Sequence, residues 1–156
     1  KWFHAPLNVY KAYKNNRYDY FDGNYEIFRD KSIRFGSCGD PTLIPFYMVK
    51  KIIDVCKNHT GYTHQWSNYF ALRYKGLFQA SVDSFDEYIK ASSLGFKCFY
   101  VKHESIEDPK NFIHCMASVE MNNKTNCNTC NLCDGSKADI VINAHGNTKN
   151  RVLLKV

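Results

Sequence analysis

The chain has 156 residues, of which 44% are hydrophobic, 15% are aromatic and 23% are charged. This length and composition exclude an intrinsically disordered protein and predict one globular domain with its own hydrophobic core. The formal net charge of +6 favours anionic partners, either a small anionic substrate or nucleic acid, although the basic residues are scattered rather than clustered. No stretch has the length of a membrane span and no signal peptide is recognisable, so we expect no membrane association.

Residues 1–31 form an arm that is rich in aromatic side chains and precedes the first predicted strand. Apolar side chains recur at helical spacing over residues 6–14, which predicts a short helix. Aromatic side chains of this kind stack on nucleic-acid bases, but packing of the arm onto the main domain is the expected role. The aromatic residues in question are Trp2, Phe3, Tyr18, Tyr20, Phe21, Tyr25 and Phe28.

Predicted strands and helices alternate along residues 32–146. Strands are predicted at 32–35, 61–66, 77–82, 96–101 and 138–146, and helices at 42–59 and after a capping box formed by Ser84 and Glu87. This order predicts an α/β domain with a largely parallel sheet, and an incomplete (β/α) barrel is the alternative arrangement. The tail, residues 147–156, is expected to pair as an edge strand or to pack as a cap.

Polar side chains follow several of the predicted strands. Asp40 ends a glycine-rich turn, His64 and Gln65 follow the second strand, and His145 follows the last. Because ligands bind at the carboxyl ends of parallel strands, we predict these four as catalytic residues. The alternatives are that Asp40 caps the next helix and that His64 is a hydrogen-bonded structural histidine. The same edge is expected to carry Cys38, Ser81, Asp83, Lys102 and His103.

The stretch from Cys115 to Cys133 contains four of the seven cysteines. Cys127, Cys130 and Cys133 are each separated by two residues, and Cys115 lies upstream. An odd number of cysteines with a clustered triple favours a metal site in a reducing compartment, the cytoplasm, over a disulfide framework. The intervening residues are polar and have little to bury, so we expect a bound metal centre to stabilise this Cys-rich loop.

The cysteine spacing indicates which centre is bound. Three closely spaced cysteines with a distant fourth are typical of a [4Fe–4S] cluster, whereas structural zinc usually takes two separate C-x2-C pairs. We therefore predict a [4Fe–4S] cluster held by Cys115, Cys127, Cys130 and Cys133, with zinc as the first alternative and disulfides or free thiols as the second. If Cys115 is not a ligand, His114 or an open iron position replaces it, and an open iron would indicate chemistry on a substrate.

Several short motifs resemble an uncharacterised family encoded mainly by bacteriophages. Over residues 32–146 they are R-F-G-S-C-G-D-P, G-Y-T-H-Q-W, Q-A-S-V-D, the position of Cys115, C-x2-C-x2-C with L-C-D-G, and A-H-G. They are more distantly similar to the phage gene-product-88-like proteins, which share a G-D element, a Y-T element and a C-terminal cysteine triple. The resemblance implies a phage origin, action in the cytoplasm of a bacterial host and a shared metal–thiolate site, but no particular activity.

Two functions are compatible with these features. The first is an iron–sulfur redox protein or enzyme whose substrate lies among Asp40, His64, Gln65 and His145. A radical enzyme that uses S-adenosylmethionine is not expected, because the C-x3-C-x2-C spacing is absent. The second is a binding protein in which the metal only stabilises the loop and the partner is a host protein or nucleic acid.

Overall fold

A computed structural model describes residues 5–146, which form a six-stranded sheet beside three longer helices. In space the strands follow the order β1-β2-β3-β4-β6-β5, and every neighbouring pair is parallel. The α/β class with a parallel sheet is confirmed, and the sheet is open rather than closed into a barrel. The strands are β1 (Ser32–Phe35), β2 (Asn58–Thr63), β3 (Gln79–Val82), β4 (Cys98–Lys102), β5 (Ile113–His114) and β6 (Ile140–Asn143).

The helices begin where local capping signals allow them to begin. The helix predicted after Ser84 starts there, because the Ser84 hydroxyl oxygen accepts a hydrogen bond from the Glu87 backbone N–H at 3.2 Å. The Glu87 carboxylate in turn accepts the backbone N–H of Asp83 at 2.7 Å. The helices are α1 (Ala5–Lys14), α2 (Phe46–Val55), α3 (Phe85–Ser93) and the single turn α4 (Cys127–Cys130).

The helix predicted over residues 42–59 is shorter at both ends in the structure. At its start, Asp40 caps a separate 3-10 turn over Pro41–Leu43, and α2 begins only after Pro45. At its end, residues 58–60 pair with residues 32–34 of β1, so β2 begins at Asn58 instead of residue 61. This pairing joins residues that are distant in sequence, and here it overrides the helical pattern that the local sequence shows over residues 58–59.

One face of the sheet carries the sealed hydrophobic core, and we call it the helix face. Val49 and Ile52 of α2 pack against Phe35 and Phe78, and Ala91 of α3 packs in a second cluster with residues of β3 and β4. Side chains on this face are almost completely removed from water. Those from the strands are Phe35, Ala80, Val82, Cys98, Tyr100 and Val141.

The opposite face is covered by the connection between β5 and β6, and we call it the loop face. This connection, residues 115–137, is the cysteine loop. It begins where the Cys115 backbone N–H donates to the Val141 carbonyl at 2.8 Å. It then reaches the start of β2, where the Asn58 side-chain amide donates to the Asn128 carbonyl at 3.1 Å. The loop therefore crosses the face of the sheet instead of running along its edge.

The aromatic arm packs on the body only in part. Tyr25 and Phe28 pack against the α2 core cluster, and the partly exposed Phe21 ring lies 5.1 Å from the Tyr25 ring and 6.2 Å from the Phe28 ring. Tyr18 and Tyr20 are exposed, and the packing predicted for the arm is wrong for these two residues. Trp2, Phe3 and the tail over residues 147–156 lie outside the described residues. Within residues 5–146, no helix is both long and apolar enough to cross a membrane.

Candidate functional site

A cavity of about 670 Å³ opens on the loop face near the carboxyl ends of the strands. It contains three of the four predicted catalytic residues, Asp40, His64 and Gln65, together with two of the predicted cluster ligands, Cys115 and Cys127. The polar and apolar parts of its wall come from all strands except β5. The other lining residues are Arg34, Gly36, Gly39, Tyr62, Ser81, Phe99, Val101, Ala117 and Ile142.

Asp40 connects the turn after β1 to the end of β2. Its carboxylate accepts hydrogen bonds from the backbone and hydroxyl of Thr42 at 3.0 and 2.7 Å, from the Thr63 hydroxyl at 2.9 Å and from the His64 backbone N–H at 2.9 Å. Burial opposes ionisation, but these hydrogen bonds outweigh it and hold the pKa of the Asp40 carboxyl below its usual value. Asp40 therefore caps the turn, as the alternative reading of the sequence proposed, and it fixes the backbone of the cavity wall.

His64 and Gln65 line the cavity on the side held by Asp40. The backbone N–H of Gln65 donates to the Thr63 hydroxyl at 2.9 Å, and its side-chain oxygen accepts from the Asn68 amide at 2.7 Å. The His64 side chain is exposed at the cavity mouth. These two residues are therefore placed to contact a bound molecule, with Gln65 held in one orientation by Asn68.

His145 is not brought together with the other three predicted catalytic residues. Its Nε2 atom lies 3.4 Å from a carboxylate oxygen of Glu120. It lines a separate cavity of about 450 Å³ that also contains Glu104 and Asn143. The edge of the sheet is therefore divided into two sites, and the larger one excludes His145.

Lys102, also expected at this edge, is almost completely buried and plays a structural part. Its ammonium group lies 2.9 Å from a carboxylate oxygen of Asp108 and 3.0 Å from the side-chain oxygen of Asn143. Because these partners neutralise and solvate the charge, Lys102 ties β4 to β6 and to the following loop.

The local backbone explains how the cysteine triple is presented. The Asn126 side chain caps α4 by accepting the Thr129 backbone N–H at 3.2 Å, and this turn carries Cys127 and Cys130. Asn131 then adopts a left-handed conformation with φ of 52°, which ends the turn and directs the chain to Cys133. Asparagine tolerates this conformation better than most residues, so the N-C-N-T-C-N-L-C sequence encodes the turn directly.

The four predicted ligands lie near one another, and none of the seven cysteines forms a disulfide. The Cys133 thiol interacts electrostatically with Cys115, Cys127 and Cys130. Burial raises the pKa of Cys133 to about 12, and the Tyr62 hydroxyl opposes this rise by hydrogen bonding to the sulfur. Burial likewise raises the pKa of the Cys115 thiol, and the neighbouring Cys127 and Cys130 add to the shift.

The four thiols do not form a ready-made site for a single metal ion. Sulfur atoms bound to one Zn²⁺ at about 2.3 Å lie within about 4 Å of one another. Within residues 5–146, no three side chains of His, Cys, Asp or Glu come together closely enough to hold one ion. The thiols thus interact electrostatically but do not form a group that could hold one ion as they stand.

The alternation of side chains along β5 separates Cys115 from its neighbour His114. His114 pairs in register with Val141, a residue of the helix face, whereas Cys115 lines the cavity on the loop face. The His114 Nδ1 atom lies 2.8 Å from a carboxylate oxygen of Asp108, and its buried Nε2 atom has no hydrogen-bond partner among the described residues. The geometry therefore favours Cys115 over His114 as a fourth ligand.

The cavity residues that sequence reasoning missed include Arg34 and Tyr62. The Arg34 guanidinium carbon lies 5.8 Å from the centre of the Tyr62 ring, and that ring lies 4.5 Å from Phe99. The strand period of two could have identified both residues. Arg34 precedes Phe35, and Tyr62 follows Gly61, which lies against Phe35 and Phe78 of the helix-face core, so the side chains of Arg34 and Tyr62 point to the other face. Their importance depends on the cysteine loop covering that face, which the sequence does not indicate.

No protein-family profile, curated protein or solved structure matches this chain.

Proposed function

We propose that this protein is an iron–sulfur protein that carries out redox chemistry on a small molecule bound beside its cluster. The observation that carries the proposal is that Cys115 and Cys127 line the same cavity as Asp40, His64 and Gln65. A substrate in this cavity would lie next to the metal–thiolate centre. A centre that only stabilised the loop would have no need to face a cavity of this size.

The spacing of the cysteines along the sequence favours a cluster over a single zinc ion. Cys115, Cys127, Cys130 and Cys133 would hold a [4Fe–4S] cluster, with each thiolate on a different iron atom. The loop also has unsatisfied polar groups, since the buried side-chain oxygen of Asn131 has no partner among the described residues. Both observations suit a loop whose ordering depends on a bound inorganic centre.

The residues around the centre have separable roles in this proposal. The cluster, when bound, supplies one-electron transfer. The Tyr62 hydroxyl bonds to the Cys133 sulfur, and hydrogen bonds to ligand sulfurs are one means by which proteins tune cluster potentials. Asp40 fixes the position of His64, while Gln65 and Ser81 offer polar groups to orient a bound molecule. The proposal includes the phage origin and the action in a bacterial host cytoplasm that the sequence resemblance implies.

Metal analysis of anaerobically purified protein tests the proposal. We expect about four iron and four sulfide per chain, with a broad absorbance near about 400 nm. Cys127→Ser and Cys133→Ser should lose most of this iron, whereas Cys38→Ser should retain it, because Cys38 is exposed and lies outside the ligand set. Stoichiometric zinc without iron, or equal loss in Cys38→Ser, would contradict the cluster.

A second candidate is a metal-stabilised binding protein whose partner is nucleic acid, and the exposed arm favours it. Tyr10 and Tyr13 of α1 are more than half exposed, and residues 5–18 contain three basic side chains and no acidic one. Stacking and phosphate contacts of this kind bind single strands. Triple substitution of Lys11, Lys14 and Arg17 by Gln should then abolish binding of a fluorescent oligothymidylate, with the Lys50→Gln variant as control. Absence of binding by the unmodified protein would eliminate this candidate.

A further inference from the structure

We infer that the cavity on the loop face binds a small organic anion, with the anionic group on Arg34 and an apolar body against β4 and β6. The inference rests on the proposed function, since it names the ligand class for the same site. It commits to a molecule that combines one carboxylate or phosphate group with an apolar or aromatic part.

Arg34 supplies the charge that would recognise the anion. It lines the cavity and is exposed, and none of the ion pairs within residues 5–146 includes it. Its one described contact is with the face of the Tyr62 ring, which orients the guanidinium without neutralising it. A guanidinium presents paired N–H donors that match carboxylate and phosphate oxygens.

The carboxylate in the cavity wall does not pair with Arg34. Among residues 5–146, Asp40 is the one carboxylate that lines the cavity. Its oxygens already accept hydrogen bonds from Thr42, Thr63 and the His64 backbone. Asp40 therefore leaves the positive charge of Arg34 available to a ligand.

The opposite wall is apolar and only partly covered. Phe99, Val101 and Ile142 alternate with fully buried residues of the helix face, yet they themselves remain half-buried. Covering this apolar surface with a ligand removes it from water and therefore favours binding. The cavity volume lies within the range typical of small-molecule sites, which favours a metabolite-sized ligand over a polymer.

Titration calorimetry with three probes of similar shape tests the inference. Phenyl phosphate and benzoate carry the anionic group, and benzyl alcohol lacks it. We expect both anions to bind the wild-type protein, and Arg34→Gln to weaken them by about tenfold or more while leaving benzyl alcohol unchanged. Arg73→Gln is the matched control, because Arg73 also lies 5.8 Å from an aromatic ring, that of Phe46, but outside this cavity. The ratio of the affinities for phenyl phosphate and benzoate shows whether the site prefers a phosphate or a carboxylate group.

The inference would be overturned by no anion binding to the wild-type protein at millimolar concentration, by an equal loss of anion binding in Arg73→Gln, or by equal binding of benzyl alcohol and the anions. Iron and sulfide are measured on the same samples. If Arg34→Gln loses iron but still binds the anions, Arg34 serves the cluster and the inference is wrong. If every sample lacks iron, the proposed cluster fails, while the comparison of Arg34→Gln with Arg73→Gln still decides the anion site.

Discussion

The two faces of the sheet are built from the same strands but stabilised in different ways. The helix face is covered by α2 and α3 and buries residues such as Val82 and Cys98 completely. The loop face is covered by a polar loop, and residues such as Val101 and Ile142 stay half-buried beside a cavity. In β4, for example, Cys98 and Tyr100 belong to the closed core, whereas Phe99 and Val101 line the open cavity.

This difference shows where each face obtains its stability. Burial of apolar area suffices for the helix face, because the helices present matching apolar residues. The cysteine loop offers few such residues and is held by specific contacts, among them the close approach of Gly135 to Leu77 and Phe78 and hydrogen bonds from Asn58 and His59. The loop face should therefore respond to changes in a few contacts, and the helix face to changes in packing.

The largest expected effect comes from Gly135→Ala, which should separate the loop from the sheet. A Cβ atom on Gly135 would lie 2.4 Å from the backbone nitrogen of Phe78, and the residue has a φ of +91°. Because the backbone of Gly135 or of Phe78 must move to relieve this overlap, we expect a loss of about 3 kcal/mol or more in the free energy of unfolding. Urea denaturation measures this.

Gly76→Ala is the control for the Gly135 prediction. Gly76 has a similar φ of +77°, but nothing lies within 4 Å of an added Cβ atom. This variant should cost only about 1 kcal/mol from backbone strain. Equal destabilisation of the two variants would show that the close contact with Phe78 is unimportant.

A matched pair of valines compares the two faces directly. Val82→Ala opens a cavity in the closed core, so we expect a loss of about 2 kcal/mol. Val101→Ala removes the same atoms from a half-buried position at an existing cavity, so the loss should stay below about 1 kcal/mol. Thermal and urea unfolding of both variants provide the comparison, and similar losses would mean that the loop face is as tightly packed as the helix face.

Asp40→Asn should have a small effect on stability, and this effect should depend on pH. The folded state lowers the pKa of Asp40 below its ordinary value of 3.8, so the carboxylate stabilises the protein above that pH. At pH 7 we expect the variant to be less stable by about 1 kcal/mol. The difference should shrink as the pH falls below 3.8, because the wild-type carboxyl then gains its proton. A difference that stays constant in acid would contradict the ionised cap.

The sequence predicted the helix face better than the loop face, because the signals for the helix face are local. The α3 cap at Ser84 depends only on neighbouring residues, and the structure contains it. The start of β2 at Asn58 depends on pairing with Ser32, which no local pattern reports.

Only the part of the candidate site that lies at the carboxyl ends of the strands could be predicted from the sequence. The rule that ligands bind at the carboxyl ends of parallel strands identified Asp40, His64 and Gln65, which do meet in one cavity. The rule misplaced His145, which pairs with Glu120 in another cavity. It also overlooked Arg34, because the site extends over the face of the sheet, where the path of the cysteine loop decides which side chains meet.

The position of β6 in the sheet has a consequence for biosynthesis. β6 is inserted between β4 and β5, although it leaves the ribosome after both of them. Until Asn143 has emerged, the pairing edge of β4 is therefore open, and a nascent chain in this condition is vulnerable to aggregation and to proteolysis. The cysteine loop is synthesised between β5 and β6, so the sheet closes only after the whole loop has emerged.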